Sequence, residues 1–174
     1  MKDSVISGMV QGAGEEGVTK LIVSGEVSLE KSFIGGMLKP LDSIVPNDLI
    51  TDGTVGNSIN LGNGKIIRIP SSYGEIKGKN LYHSFKSFDL ASAQEIVFSV
   101  PEGVENVFVR VTGDGVTTLN GEITSSMEGG NITLLNEQGF ELGPDMEIHD
   151  FIGVRIGAAN SIVFDDGSVF NSKV

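Results

Sequence analysis

The sequence predicts a nearly all-β fold, and three observations carry that expectation. From Leu49 onward, short β-branched or aromatic segments recur at roughly 8–12-residue spacing. Gly and Asn turn signals separate them, among them Asn63-Gly64, Asn120-Gly121, Gly129-Gly130, Gly143-Pro144 and Asp166-Gly167. No stretch holds an i, i+3, i+4, i+7 apolar stripe long enough for a helix. The 174 residues include 24 Gly, and each Gly inside a helix costs ~1 kcal/mol relative to Ala. Hydrophobic residues make up 39% of the chain, enough to build a core.

Taken in order, residues 1–48 open with a Gly-rich polar stretch from Gly8 to Gly17. One strand-like segment follows, Val18 to Leu29, and then an irregular piece with Gly35-Gly36, Pro40 and Pro46. This region reads as an edge strand or cap, or as a leader separate from the fold. Beyond it the expected strands are Ser58–Leu61, Lys65–Ile69, Glu95–Val100, Asn106–Thr112, Asn131–Leu135, Met146–Ile156 and Ser161–Phe164. Alternation assigns their faces: Val107, Val109 and Val111 share one side, while Phe108, Arg110 and Thr112 share the other. Ile96, Phe98 and Val100 repeat the pattern, as do Ile132 and Leu134. Composition leaves a sandwich, a barrel and a solenoid open. Aromatic content of 6% with plentiful Asn and Gly leans towards a β-helix.

Charge and residue usage exclude several function classes. Twelve Lys+Arg against 23 Asp+Glu give a formal net charge of −11, so the basic footprint that nucleic acid or an anionic membrane requires is missing. No apolar run approaches the roughly 20 residues of a transmembrane helix. The first 20 residues carry no apolar stretch of a secretory signal. Without Cys there is no disulfide framework and no thiolate chemistry.

No catalytic constellation stands out. His83 and His149 form no HExxH or i, i+4 pair, and His83, set among Leu81, Tyr82 and Phe85, reads as structural. Gly62 to Lys65 imitates the end of a phosphate loop. Position 59 is Ile rather than Gly, however, and Ile66 stands where Ser or Thr is required. A tight Asn-Gly turn between two strands is the expectation there. Asp165-Asp166-Gly167 and Asp114 read as turn residues rather than Ca²⁺ ligands, which must supply 6–8 oxygens. No cofactor or metal is expected.

The segment from Gly78 to Phe88 (GKNLYHSFKSF) resembles the N-L-F-H-S-F stretch of the filamentous haemagglutinin N-terminal domain, the secretion domain of two-partner secretion exoproteins. Further similarities follow in order. Ile50 to Thr54 (ITDGT) resembles the family's opening, Val109 to Gly113 (VRVTG) its S-R-V-T-G, and Leu119 to Ile123 (LNGEI) its I-x-G-x-I. Asn131 to Pro144 (NITLLNEQGFELGP) resembles N-L-F-L-I-N-P-N-G-I-x-F-G-P, and Ile162 to Phe170 (IVFDDGSVF) the closing F-x-D-G-x-F. In the fourth of these, Glu137 and Gln138 replace the family's Pro and second Asn. The turn keeps Asn136 and a Gly139 able to take positive φ.

The resemblance implies a right-handed parallel β-helix with capping and extra-helical strands over residues 49–174, preceded by a segment of unassigned role, 1–48. It implies a non-enzymatic secretion and folding domain of an adhesin-like exoprotein in a Gram-negative-type bacterium. Such a domain passes through the periplasm and is recognised by the POTRA domains of an outer-membrane barrel transporter. Downstream regions would then meet a host or neighbouring-cell surface. The motif positions Asn80, His83, Ser84, Phe85, Arg110, Asn120, Asn136 and Gly139 are its candidates for transporter recognition. Tyr82 and Phe85 are expected in the core, and Asn80, Asn120 and Asn136 at coil corners. A transporter-contact role predicts that Asn80→Ala or Asn136→Ala reduces export more than stability. The competing reading is a stand-alone β-helix that binds carbohydrate or protein at the cell surface. A polysaccharide lyase is a third class, and the three arginines, Arg68, Arg110 and Arg155, serve it poorly.

Overall fold

The computed structural model describes residues 19–24, 27–28 and 48–173. The chain winds into stacked coils, each crossing three walls. The first wall holds β5 (Ile66–Ile69), β8 (Glu95–Phe98), β11 (Glu122–Ser125) and β14 (Glu147–Ile148), paired in parallel. The second holds β7 (Asn80–Ser87), β9 (Asn106–Val111), β12 (Asn131–Asn136) and β15 (Gly153–Ala158), again parallel. The third is shorter: β10 (Thr117–Leu119) lies parallel to β13 (Phe140–Leu142), and Leu90 bridges Leu119. Parallel neighbours need a crossover of a dozen or more residues. Here the strands of the second wall return one rung higher after 26, 25 and then 22 residues, from Asn80 to Asn106, Asn131 and Gly153, having visited the other walls.

Alternation on each strand sends one residue in two to the coil interior, and the parallel register stacks those residues into columns. Ile67, Ile96, Ile123 and Ile148 form one column, and Leu81, Val107, Ile132 and Val154 another. Leu90, Leu119 and Leu142 line the third wall. All of them belong to one core cluster apart from Leu81, which is equally buried. Each such side chain contributes roughly 1.5–3 kcal/mol by leaving water. The columns are what hold one coil on the next.

Strands outside the coils close the stack. β3 (Leu49–Thr51) and β6 (Glu75–Lys77) pair antiparallel with β7, and β4 (Asn60–Gly62) pairs antiparallel with β3. β16 (Ser161–Val163) and β17 (Val169–Asn171) form an antiparallel hairpin over the outer face of the second wall. There Phe108, Leu135, Ala159 and Phe170 make a second apolar cluster with Tyr82, Ile162 and Phe164. The fold is therefore a β-helix with capping and extra-helical strands. At the other end, β1 (Thr19–Ser24) runs antiparallel to β15 and β2 (Val27–Ser28) antiparallel to β14. The Gly8–Gly17 stretch and the Gly35–Pro46 piece lie outside the described residues.

Several expectations require correction. Met146 to Ile156 is two strands, β14 and β15, divided by a corner where Asp150 takes φ 67°. Within Val18 to Leu29, the described residues form β1 and β2. Asn63-Gly64 does lie between two strands, β4 and β5, but these belong to different sheets. The positive φ falls on Gly62, and the Gln94 amide fixes the segment by donating to the Asn63 and Gly64 carbonyls at 2.6 and 3.0 Å. Tyr82 is not in the coil core. It stacks on Phe108 outside the coil, at 5.1 Å between ring centroids.

Candidate functional site

Alternation along β9 sends Val109 and Val111 inward and leaves Arg110 on the outer face between them. A guanidinium offers five donors in a planar fork, and here the fork joins three separate parts of the chain. Nε donates to Ser84 Oγ on β7 at 2.7 Å, and Nη2 donates to Thr54 Oγ1 in the capping segment at 2.8 Å. Nη1 donates to the Asn171 carbonyl on the hairpin at 3.0 Å, and the Phe170 ring covers the group at 5.1 Å. Arg110 is only 8% exposed as a result.

Asp52 completes the network. Its Oδ1 accepts from the Thr54 amide at 2.9 Å and from Thr54 Oγ1 at 2.7 Å. Its Oδ2 accepts from Ser84 Oγ at 2.5 Å and Thr112 Oγ1 at 2.7 Å. Burial pushes this carboxyl up, but the hydrogen bonds from Ser84, Thr54 and Thr112 outweigh it and hold the group below the ordinary Asp value. Burial works against the charged form of Arg110 too, and the nearby Asp52 charge opposes it. Ser84 and Thr54 each bridge the two charges, so the pair is neutralised without direct contact. Four segments that are remote in sequence, around residues 52, 84, 110 and 170, thus converge at one point.

The remaining candidates go elsewhere. Asn80 opens a ladder on the second wall: Asn106 Nδ2 donates to Asn80 Oδ1, and Asn131 Nδ2 to Asn106 Oδ1, each at 2.9 Å. Asn120 joins three coils, its amide donating to the Leu90 carbonyl at 2.7 Å and its Oδ1 accepting from the Asp145 amide at 2.9 Å. Asn136 is fully buried. Its Nδ2 donates to Thr117 Oγ1 and the Gly115 carbonyl, and its Oδ1 accepts from the Gln138 amide. Gly139, at φ 97°, ends that turn. Phe85 packs in the core with Phe88, the ring centroids 4.9 Å apart.

His83 faces the interior and is fully buried, its ring beside Phe85 and Phe98. Neither ring nitrogen has a hydrogen-bond partner of normal geometry. Burial lowers its pKa to about 4, only partly offset by the Tyr73 carbonyl. Of the eight candidates, then, the structure joins Ser84 and Arg110 directly and distributes the others through walls and corners. Asp52, Thr54, Thr112 and Phe170 were not singled out from the sequence, although each lies in one of the quoted motif segments. The Asp-x-Thr spacing of residues 52 and 54, typical of an Asx turn, was the available clue.

This assembly contains donors, acceptors and packed rings, and the Ser84 hydroxyl, which donates to Asp52 and accepts from Arg110, is fully buried. Among the described residues, no three His, Cys, Asp or Glu side chains gather where a metal could be held. What the arrangement does is fasten the cap, a central coil and the outer hairpin to one another. Neither a curated protein nor a solved structure matches the chain. A family model described as the TPS secretion domain does match, over residues 47–173. That span takes in every member of the Arg110 network from Asp52 to Asn171, and the chain belongs to the two-partner secretion (TPS) domain family, the secretion-related domains of exoproteins.

Proposed function

We propose that residues 47–173 are the non-enzymatic targeting and folding domain of a surface-delivered exoprotein. It is carried to the periplasm of a Gram-negative-type bacterium and read there by the POTRA domains of an outer-membrane barrel transporter. Adhesion, in this reading, is the work of other regions of the exoprotein. The observation that carries the proposal is the family match across 47–173.

Burial bears on how the domain is read. His83, Ser84 and Asn136 are 0% exposed, Asn120 3% and Arg110 8%. A folded β-helix therefore hides most of the motif, and the transporter meets these side chains while the chain is still extended. An extended segment adding to a sheet edge is an established mode of peptide recognition. A solenoid suits the next step, because each coil is stabilised mainly by its neighbours and can close as it emerges.

Export tests the proposal. A cleavable signal peptide is fused to residues 1–174 and the chain is co-expressed with the barrel transporter encoded nearest its gene. Protease-resistant chain in the medium is then quantified. The expected result is appearance that depends on the transporter and is lost when its POTRA domains are deleted. Folded, soluble chain retained in the periplasm beside a working transporter would overturn it.

A further inference from the structure

Two Asn-Gly pairs occur in the sequence, Asn63-Gly64 and Asn120-Gly121, and the fold uses them differently. Asn120 is buried, and its Oδ1 accepts from the Asp145 amide at 2.9 Å. Packing requires the glycine that follows it. A Cβ on Gly121 would lie 2.5 Å from the carbonyl oxygens of both Ala91 and Gln94.

Asn63 and Gly64 are both exposed and lie outside any strand. Gly64 takes no left-handed φ, and the nearest atom to a Cβ placed on it is the Ile66 carbonyl oxygen at 4.0 Å. Among the described residues, neither the Asn63 side chain nor the Gly64 N–H makes a hydrogen bond. Neither a turn nor a contact therefore calls for this side chain or this glycine.

The pair does have a reactivity of its own. The amide nitrogen of the residue after an asparagine can reach the side-chain Cγ and close a five-membered ring. A side chain on that residue obstructs the approach, and glycine has none. Asn57, Asn60, Asn160 and Asn171 are exposed too, but Ser58, Leu61, Ser161 and Ser172 follow them.

Gln94 controls the approach at Asn63. Its Nε2 donates to the Asn63 and Gly64 carbonyls at 2.6 and 3.0 Å. The Gln94 side chain is itself held, because its Oε1 accepts from the Ala91 amide at 2.8 Å. The Asn63 carbonyl and the Gly64 nitrogen belong to one planar peptide unit. A clamp on that carbonyl therefore restrains the nitrogen as well.

We propose that Asn63 is a self-modification site gated by Gln94. When the clamp opens, hydroxide takes the Gly64 amide proton and the nitrogen bonds to Asn63 Cγ. The side-chain nitrogen takes a proton from water and leaves as ammonia. Water then opens the cyclic imide at either carbonyl, giving an aspartyl or an isoaspartyl residue at position 63. Either product adds one negative charge to a chain already at −11. The isoaspartyl form also lengthens the main chain by one carbon between β4 and β5, under the Gln94 clamp. The proposal stands apart from the export reading and is tested without a transporter.

Peptide mapping by mass spectrometry on the full chain, aged in mildly alkaline buffer, decides it. A synthetic peptide of residues 58–69 sets the unclamped rate. The folded chain should convert at Asn63 and not at Asn120, more slowly than the peptide. Gln94→Ala should quicken the conversion about tenfold, the factor that ~1.4 kcal/mol of lost restraint supplies. Gln94→Glu keeps an acceptor for the Ala91 amide but loses the donor, and should act in the same direction. Gly64→Ala, which the backbone accommodates, should nearly stop the reaction.

Asn120 reports on folding, since an unfolded chain exposes both pairs. Conversion at Asn63 therefore counts as the folded chain's own only where Asn120 stays intact. If both Gln94 variants unfold, the ratio of wild-type to peptide rates decides the gate, and equal rates refute it. An Asn63 that stays intact while the peptide converts, joint conversion of Asn63 and Asn120 in the wild type, or a rate that neither folded Gln94 variant alters would each overturn the proposal.

Discussion

His83 is the residue at which the domain's chemistry and its stability meet. The unfolded imidazole titrates near 6.5 and the folded one near 4, so between those values the unfolded chain binds the extra proton. Stability is therefore complete above ~6.5 and declines as pH falls towards 4, by up to roughly 3 kcal/mol. His83→Leu removes the titrating group at similar volume. Urea unfolding should show the wild type losing stability from pH 7 to pH 4.5 while the variant loses clearly less. An equal loss in both would place the acid sensitivity elsewhere. Arg110 makes the complementary case, a buried charge fully employed. Arg110→Ala should cost roughly 2–4 kcal/mol, because it leaves Asp52 half-compensated and frees the hairpin. Asp52→Asn acts on the same bridges through Ser84 and Thr54, so the double variant should lose less than the sum of the single losses. Strict additivity in a denaturation cycle would mean that the two charges do not share those bridges.

At the scale of elements, the outer hairpin and the asparagine ladder show what the sequence could and could not convey. Period-two alternation correctly turns Val107, Val109 and Val111 inward, because inward and outward are local properties of a strand. It gives no hint that the outward residues Phe108 and Arg110 are themselves covered. Their cover, Phe170, arrives about sixty residues later and belongs to another sheet. Tyr82 was misplaced for the same reason. The corner at Asp150 was overlooked for another reason: Asp does favour turns and tolerates positive φ, but a single Asp among apolar neighbours left Met146 to Ile156 looking continuous. Ser84 and Arg110 were legible as motif letters but not as partners, because pairing them requires the coil length. The ladder allows a sharper test of register. Gly153→Ala should destabilise, because its Cβ meets Asn131 Oδ1 and the asparagine must shift away from the ladder to make room. Asn131→Ala gives up one ladder hydrogen bond, about 1 kcal/mol. Combined, the two substitutions remove the clash, so chemical denaturation should find the double variant more stable than Gly153→Ala alone.

Across the whole molecule, the stability of the coils and the proposed reading by a transporter would make separable demands on the same residues. Every coil leans on the one before it through in-register columns, so losing a core methylene weakens a coil and its neighbours without altering any motif letter. Ile96, fully buried between Ile67 and Ile123, lies outside all the quoted motif segments, and Ile96→Val should cost ~0.5–1.5 kcal/mol. Asn80→Ala should cost a similar ~1 kcal/mol, by cutting the first bond of the ladder and a longer 3.2 Å bond from Asn80 Nδ2 to the half-buried Tyr82 hydroxyl. Asn136→Ala makes a poorer probe, since it leaves buried partners at Thr117 and Gly115 unsatisfied and lowers stability on its own account. The matched pair, Ile96→Val and Asn80→Ala, therefore isolates recognition. If the transporter reads the extended chain, Asn80→Ala should sharply reduce the protease-resistant chain in the medium, whereas Ile96→Val should export near the wild-type level. Equal export of the two at equal stability would make Asn80 a structural letter of the motif, and recognition would then have to lie in residues the coils leave exposed.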